Sequence, residues 1–183
     1  MQPQLDESVF IGGHEKREIR IVDYNPDWPA QYQHHASIIA AALGNILLRI
    51  EHIGSTSVPE LAAKPIIDIL VVVADSADET SYLPALESAG YELRVREPNF
   101  YEHRMLRTPA KDVHIHVYSV GVPEIERNIA FRDRLRTHPD DRKRYEETKR
   151  TLAKQSWSNM DAYAQAKTEV IETIISAAFE SNG

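Results

Sequence analysis

Residues 65–73 read Pro65-Ile66-Ile67-Asp68-Ile69-Leu70-Val71-Val72-Val73, a nearly unbroken apolar and β-branched run with one charge inside it. β-Branched side chains suit an extended backbone, and a run that is apolar at both alternating phases predicts a strand covered on both faces. A sheet carrying such a strand needs helices packed against it, which commits the chain to a layered α/β architecture. Asp68 is the exception in the run, because a carboxylate there is costly to bury without partners. Two readings are open. It can sit at the C-terminal polar end of the strand and hold a divalent cation that bridges phosphate oxygens. Alternatively it is a structural aspartate paired with backbone amides, Lys64 or an arginine.

The remaining elements follow from periodicity and punctuation. Residues 1–17 are polar, contain Gly12-Gly13 and show no sustained period, so they read as a flexible N-terminal arm. Residues 18–23 have the makings of a short strand. Asp27 and Pro29 mark a helix start, and Tyr32, Ala36, Ile39 and Leu43 recur at helical spacing up to Gly44. Residues 46–53 read as a first core strand, residues 54–59 as a turn, 79–89 as a helix and 91–95 as a strand. A hairpin is predicted from 103–107 and 113–118, joined by Thr108-Pro109-Ala110-Lys111-Asp112. Beyond Pro123 the pattern is helical throughout, over 123–137, 139–155 and 159–179. The expected organisation is an arm (1–17), an α/β core with a mixed sheet (18–122) and C-terminal helices packed on it (123–183) as one compact unit.

Composition narrows the chemistry. Of the 183 residues 42% are hydrophobic and 27% charged, ordinary for a folded protein. There is no cysteine, so any metal must bind oxygen or imidazole, and a reducing cytoplasmic location is expected. No apolar run long enough for a membrane span occurs, and no membrane partner is expected. The net charge of −7 disfavours nucleic acid as a partner. Arg132, Arg134, Arg136, Arg142, Lys143 and Arg144 are interleaved with Asp133, Asp140, Asp141, Glu146 and Glu147, and read as a solvated helix surface laced with i,i+4 pairs.

A second feature lies just upstream of Asp68. In Gly54-Ser55-Thr56-Ser57 a glycine permits close backbone approach, and three hydroxyls and successive N–H groups can cradle an anion. The order Ile53-Gly54-Ser55, a short spacer, then Asp68-Ile69 resembles the nucleotidyltransferase signature. The longer string from Glu51 to Pro59, followed by Leu61-Ala62-Ala63-Lys64-Pro65-Ile66-Ile67-Asp68-Ile69, resembles the hallmark of the GrpB family, also called uncharacterised protein family 0157. Tyr24-Asn25-Pro26-Asp27-Trp28-Pro29, His114-Ile115-His116-Val117 and the segment from Phe131 to Arg136 with His138-Pro139 extend the resemblance over most of the chain. It implies a nucleotidyltransferase-like mixed β-sheet flanked by helices. It also implies a relation to a domain found fused to dephospho-CoA kinase in some bacteria.

One departure from the superfamily pattern matters. Active nucleotidyltransferases carry a second carboxylate two residues after the first, on the same strand face, and here that position is Leu70. Replacement ligands can come from His114 and His116, which share one strand face. With Asp68 they would make a three-ligand site, with Glu51 or Glu102 as a fourth oxygen. Contact of the two histidines with a phosphate, or structural pairing of one of them, are the other readings. Lys64 and Arg104 are candidate phosphate contacts beside Gly54, Ser55, Thr56 and Ser57, and His52 is ambiguous.

The expected function is binding of a nucleotide or other phosphate-containing small molecule. Metal-assisted nucleotidyl transfer would be centred on Asp68 with Mg or Mn, Zn ranking lower. The alternative is a regulatory module that has lost turnover with the second carboxylate. A third reading makes the helical half a partner surface anchored by Trp157 and Tyr163.

Overall fold

A computed structural model of the chain describes residues 9–158 and 160–181, without the side chains at 160 and 161. Strands β1 (Arg49–Ile53), β2 (Ile67–Val73), β3 (Glu92–Glu97), β4 (His103–Arg107) and β5 (Val113–Ser119) form one sheet in the order β1-β2-β5-β4-β3. β2 runs parallel to β5 and the other pairs are antiparallel, so the sheet is mixed as expected. Helices α1 (Trp28–Leu43) and α2 (Leu83–Ser88) cover one face, and α3 (Pro123–Thr137) packs on the other. They are followed by α4 (Pro139–Ala153), α5 (Met160–Ala166) and α6 (Thr168–Glu180). No helix among the described residues is long and apolar enough to cross a membrane.

The double phase of the β2 run is explained by what covers it. Ile67, Ile69, Val71 and Val73 join Ile115 and Val117 of β5 and Leu106 of β4 beneath Trp28, Ile39, Leu43 and Leu86. The opposite phase, Asp68-Leu70-Val72, shares its face with His114, His116 and Tyr118 by the β2–β5 register. On that face Leu70 and Val72 pack with Ile53, Tyr118, Ile125 and Ile129, leaving only the Asp68 end polar. That end is the N-terminal one, not the C-terminal one expected, because Asp68 is the second residue of β2 and stands across from Ile53, the last of β1. A third apolar cluster joins α3, α4 and α6 to Val58 and Leu61, so the helical part is anchored on the segment that links β1 to β2.

Several local expectations are corrected. Residues 18–23 form no strand, only an isolated bridge of Val22 to Ala63, a residue that itself lies outside the sheet. Asp27 makes no side-chain cap, its backbone being helical at φ −79°, ψ −13°, and its N–H instead donates to Asn25 Oδ1. The final helix breaks at Lys167. Residues 1–8 of the expected arm lie outside the described residues. Residues 9–17 are tied to the sheet: Phe10 bridges Val95, Arg94 donates to the carbonyls of Ile11 and Gly13, and Glu15 takes two hydrogen bonds from Arg107. The basic stretch is not mainly a solvated surface. Arg132, Arg134, Arg136 and Arg142 reach across to other elements, with Arg132 bonding Glu51 and the His52 carbonyl and Arg136 the Ser57 carbonyl. Among its ion pairs only Lys143–Glu147 and Arg150–Glu146 are i,i+4 contacts.

Candidate functional site

β1 ends at Ile53, and the chain turns through Gly54 into a 3-10 turn at Ser55–Ser57. Gly54 adopts φ 70°, ψ −175°, a region that essentially only glycine occupies. The turn is closed by Ser57, whose hydroxyl donates to the Gly54 carbonyl. This conformation lays the Gly54 backbone directly against Asp68: a Cβ at position 54 would lie 2.7 Å from Asp68 Oδ2. The sequence interval between Gly54 and Asp68 thus closes into van der Waals contact.

On the other side of Asp68 stand the histidines. His116 Nε2 lies 3.1 Å and His114 Nδ1 3.7 Å from Asp68 Oδ1. One ligand atom from each of the three residues lies within 4.8 Å of the other two. A carboxylate oxygen and two imidazole nitrogens at this spacing fit a divalent ion of the first transition row. Burial works to raise the Asp68 pKa, but the His116 hydrogen bond and the charges of His116, His114 and Lys64 outweigh it and hold the carboxyl below its usual range. Burial pulls His114 down to about 4 against the pull of Asp68, leaving it neutral, the form that ligates metal.

The cavity beside these groups has a volume of about 330 Å³ and is lined by Gly54, Ser55, Asp68, His114 and His116 from the sheet side. The helical part contributes Asn128, Tyr145, Lys149 and Tyr163 from its helices and Lys167 from the break between α5 and α6. Lys149 is 2% exposed; its ammonium donates to Ser55 Oγ at 3.0 Å and to the Ala62 carbonyl, and lies 4.7 Å from the centre of the Tyr145 ring. Lys64 and Lys167 lie 5.1 and 4.8 Å from the centre of the Tyr163 ring. Burial depresses Lys149 to about 7 and Lys167 to about 8, the latter against the pull of Asp68. Tyr163 is fully buried and its hydroxyl has no hydrogen-bond partner among the described residues, an expense that a bound polar group would remove. A larger groove of about 610 Å³ continues from this cavity, sharing Lys64, His114 and His116 and adding Phe100, His103 and Met105.

Gly54, Ser55, Lys64, Asp68, His114 and His116 all line this one cavity. Thr56 also lines the cavity, but its hydroxyl donates to the Ile66 carbonyl and is spent on the turn. Ser57 is buried and its hydroxyl closes the Gly54 turn. Glu51 is held by Arg49 and Arg132, and Glu102 by Arg104, and neither lines the cavity. His52 stacks on Tyr32 and bonds Thr56. Tyr163 is core and cavity wall, not an exposed anchor, and the Trp157 indole N–H donates to the Leu152 carbonyl.

Arg104 is the clearest correction. It pairs across the sheet with Val117, on the face opposite Asp68, and is 4% exposed with its guanidinium on Glu79 at 2.6 Å and Glu102 at 3.1 Å. Its role is to hold α2's approach and β4 together. Arg104→Met is expected to lower unfolding free energy by about 1–3 kcal/mol in a denaturant titration. Affinity for any ligand of the Asp68 cavity should stay unchanged, and a selective loss of affinity at intact stability would put Arg104 back in the site.

Sequence reasoning missed the lysines and tyrosines of the helical half. Lys149 lies four residues after Tyr145 and three before Leu152, in the buried phase of a helix otherwise rich in charge, and that phase was the available signal.

Known proteins resemble this chain in sequence and in fold. A UPF0157 protein of Streptomyces coelicolor is 50% identical over 177 residues, covering 97% of this chain and 93% of its own. A UPF0157 protein of Halalkalibacterium halodurans is 49% identical over 160 residues, covering 87% and 82%. The crystal structure of the conserved protein GrpB from Enterococcus faecalis superposes with a TM-score of 0.79 at 36% identity, covering 89% of this chain and 99% of that one. The family model described as GrpB protein matches residues 18–177, and the chain belongs to the GrpB family.

Proposed function

We propose that the cavity binds a nucleotide or a similar phosphate-rich small molecule together with a divalent metal ion, and that it supports metal-assisted transfer of a nucleotidyl group. One observation carries this reading: the Gly54–Ser55 turn, three lysines and the Asp68–His114–His116 cluster all converge on a single cavity. Lys64, Lys149 and Lys167 supply positive charge for phosphate oxygens, and Ser55 supplies a hydroxyl already aligned by Lys149. Asp68, His114 and His116 would hold the ion, which supplies Lewis-acid stabilisation of charge at a phosphoryl oxygen. The absence of cysteine is in keeping with work in a reducing cytoplasm.

Leu70 favours a second reading. It is 0% exposed, packed with Ile53, Val72, Tyr118, Ile125 and Ile129, so the place where a second strand carboxylate would stand is hydrophobic core. A binding or regulatory module that retains the pocket without turnover fits that fact.

The test is calorimetric titration of a nucleoside triphosphate with and without Mn²⁺. Wild type is expected to bind in a metal-dependent way, and Asp68→Ala to weaken binding at least tenfold while leaving metal-free binding to the lysines nearly intact. Absence of binding by wild type, or an Asp68→Ala titration that overlays it, would overturn the metal-and-phosphate reading. Incubation with labelled triphosphate separates the two forms of it: product points to transfer, binding without product to the module.

A further inference from the structure

The Asp68 cluster does not end at His116. His116 Nδ1 lies 3.1 Å from His103 Nε2, and His103 Nδ1 lies 2.5 Å from Glu97 Oε2. The two imidazoles are nearly coplanar, 12° apart with centroids at 5.3 Å, the disposition of rings joined edge to edge by one N–H···N bond. His103 is held in place by Tyr118, whose ring centroid lies 4.7 Å away. A continuous chain Asp68–His116–His103–Glu97 thus crosses from β2 through β5 and β4 to the end of β3.

The donor count of this chain has one consistent solution when an ion sits on His116 Nε2. His116 then carries its hydrogen on Nδ1 and donates to His103 Nε2, and His103 carries its own on Nδ1 and donates to Glu97. Each ring nitrogen is used and both rings are neutral. A carboxylate behind a ligating imidazole fixes its tautomer and raises its basicity, and two imidazole donors favour a transition ion over Mg²⁺.

We propose that His103 and Glu97 are positioning residues that lock His116 with Nε2 toward Asp68, and that the site so formed takes a transition-metal ion in preference to Mg²⁺. The proposal rests on the metal-site reading above and adds to it two residues and the class of ion.

Co²⁺ is a suitable probe, since its visible absorption reports ligand number and geometry. Wild type should show a Co²⁺ spectrum that is lost in Asp68→Ala and survives a tenfold excess of Mg²⁺. Glu97→Gln and His103→Phe, the second preserving the ring against Tyr118, should weaken Co²⁺ binding about 10–100-fold and alter the spectrum. Glu97 is partly exposed, so Glu97→Gln should keep the wild-type melting temperature in the absence of metal. Variants that bind Co²⁺ as wild type does, with the same spectrum, would overturn the positioning chain while leaving the metal site standing. Displacement of Co²⁺ by equal Mg²⁺ would overturn the ion class. A wild type without any Asp68-dependent spectrum would remove the metal reading and this proposal together.

Discussion

Replacing Gly54 with alanine is expected to cost about 3 kcal/mol of stability and to abolish ligand binding in whatever fraction remains folded. Two independent effects add. The backbone at φ 70°, ψ −175° lies where a side chain brings about 1–3 kcal/mol of strain. The new Cβ would also stand 2.7 Å from Asp68 Oδ2 and 3.2 Å from Asp68 Cβ. Neither can yield easily, because Asp68 is fixed in the register of β2 between β1 and β5 and its carboxylate is held by His116. Relief by rotating the carboxylate would break the His116 contact and disperse the three-residue cluster. A denaturant titration together with Co²⁺ or triphosphate binding tests both halves. Wild-type stability in Gly54→Ala would show that the close approach is not a constraint, and wild-type ligand affinity would show that Asp68 is not part of the binding site. Gly90 is the matching control: it also has positive φ, 98°, but nothing stands within 4 Å of its Cβ position, so Gly90→Ala should lose stability through the backbone alone and leave binding untouched.

The contrast between Gly54 and Lys149 shows what could be read from the sequence. The apolar run around Asp68 and the alternation His114–His116 each announce a strand phase, and two adjacent strands in parallel register then place those side chains on one face with no further information. Gly54 was legible because only a glycine followed by small hydroxyls, shortly before that strand, makes sense as a tight approach. α1 and α3 begin and end where proline, apolar spacing and the residues after them said. Arg104 was misread although a signal existed: it shares its strand phase with Leu106, which is fully buried, and that phase faces the α1 side. A partly buried ion pair to Glu79, 25 residues away, is what allows a guanidinium to lie there, and such a partner has no local sequence mark. The helical residues of the site were hidden for a related reason. Which helix of the C-terminal half covers the Gly54 turn depends on how Val58 and Leu61 pack against Phe131, Leu135 and Ile174, a tertiary fact that periodicity within each helix does not contain.

Lys149→Met is expected to weaken anion binding at least tenfold and, at the same time, to flatten the rise of stability with pH above neutrality. The lysine is nearly inaccessible, so its charge is opposed by desolvation and its pKa falls to about 7, with Lys167 at about 8. In the unfolded chain both lysines keep an ordinary pKa near 10.5. Below pH 7 both states are protonated and the folded state bears the whole cost of the buried charge. Between pH 7 and about 10 the unfolded state holds protons that the folded state has released, so stability rises with pH, by up to about 1.4 kcal/mol per unit for each lysine. An arriving polyphosphate reverses the balance, since its charge draws the protons back. Affinity should therefore decline as pH is raised from 7 to 9, where free Lys149 and then Lys167 are neutral and binding must include their protonation. Urea titrations of wild type and Lys149→Met across pH 7–9.5 report the Lys149 contribution together with its coupling to Lys167, whose charge helps to depress it. The expected difference is a steeper wild-type rise, together with pyrophosphate affinity at least tenfold weaker in the variant at pH 7. Parallel pH curves would mean that Lys149 keeps an ordinary pKa inside the fold, and undiminished pyrophosphate binding by the variant would move the anion away from Ser55. If both expected results are seen, the lysine that seats Ser55 is the one that senses the ligand's charge, which ties the Gly54–Ser55 turn to phosphate through a residue of α4 that shares its buried phase with Tyr145.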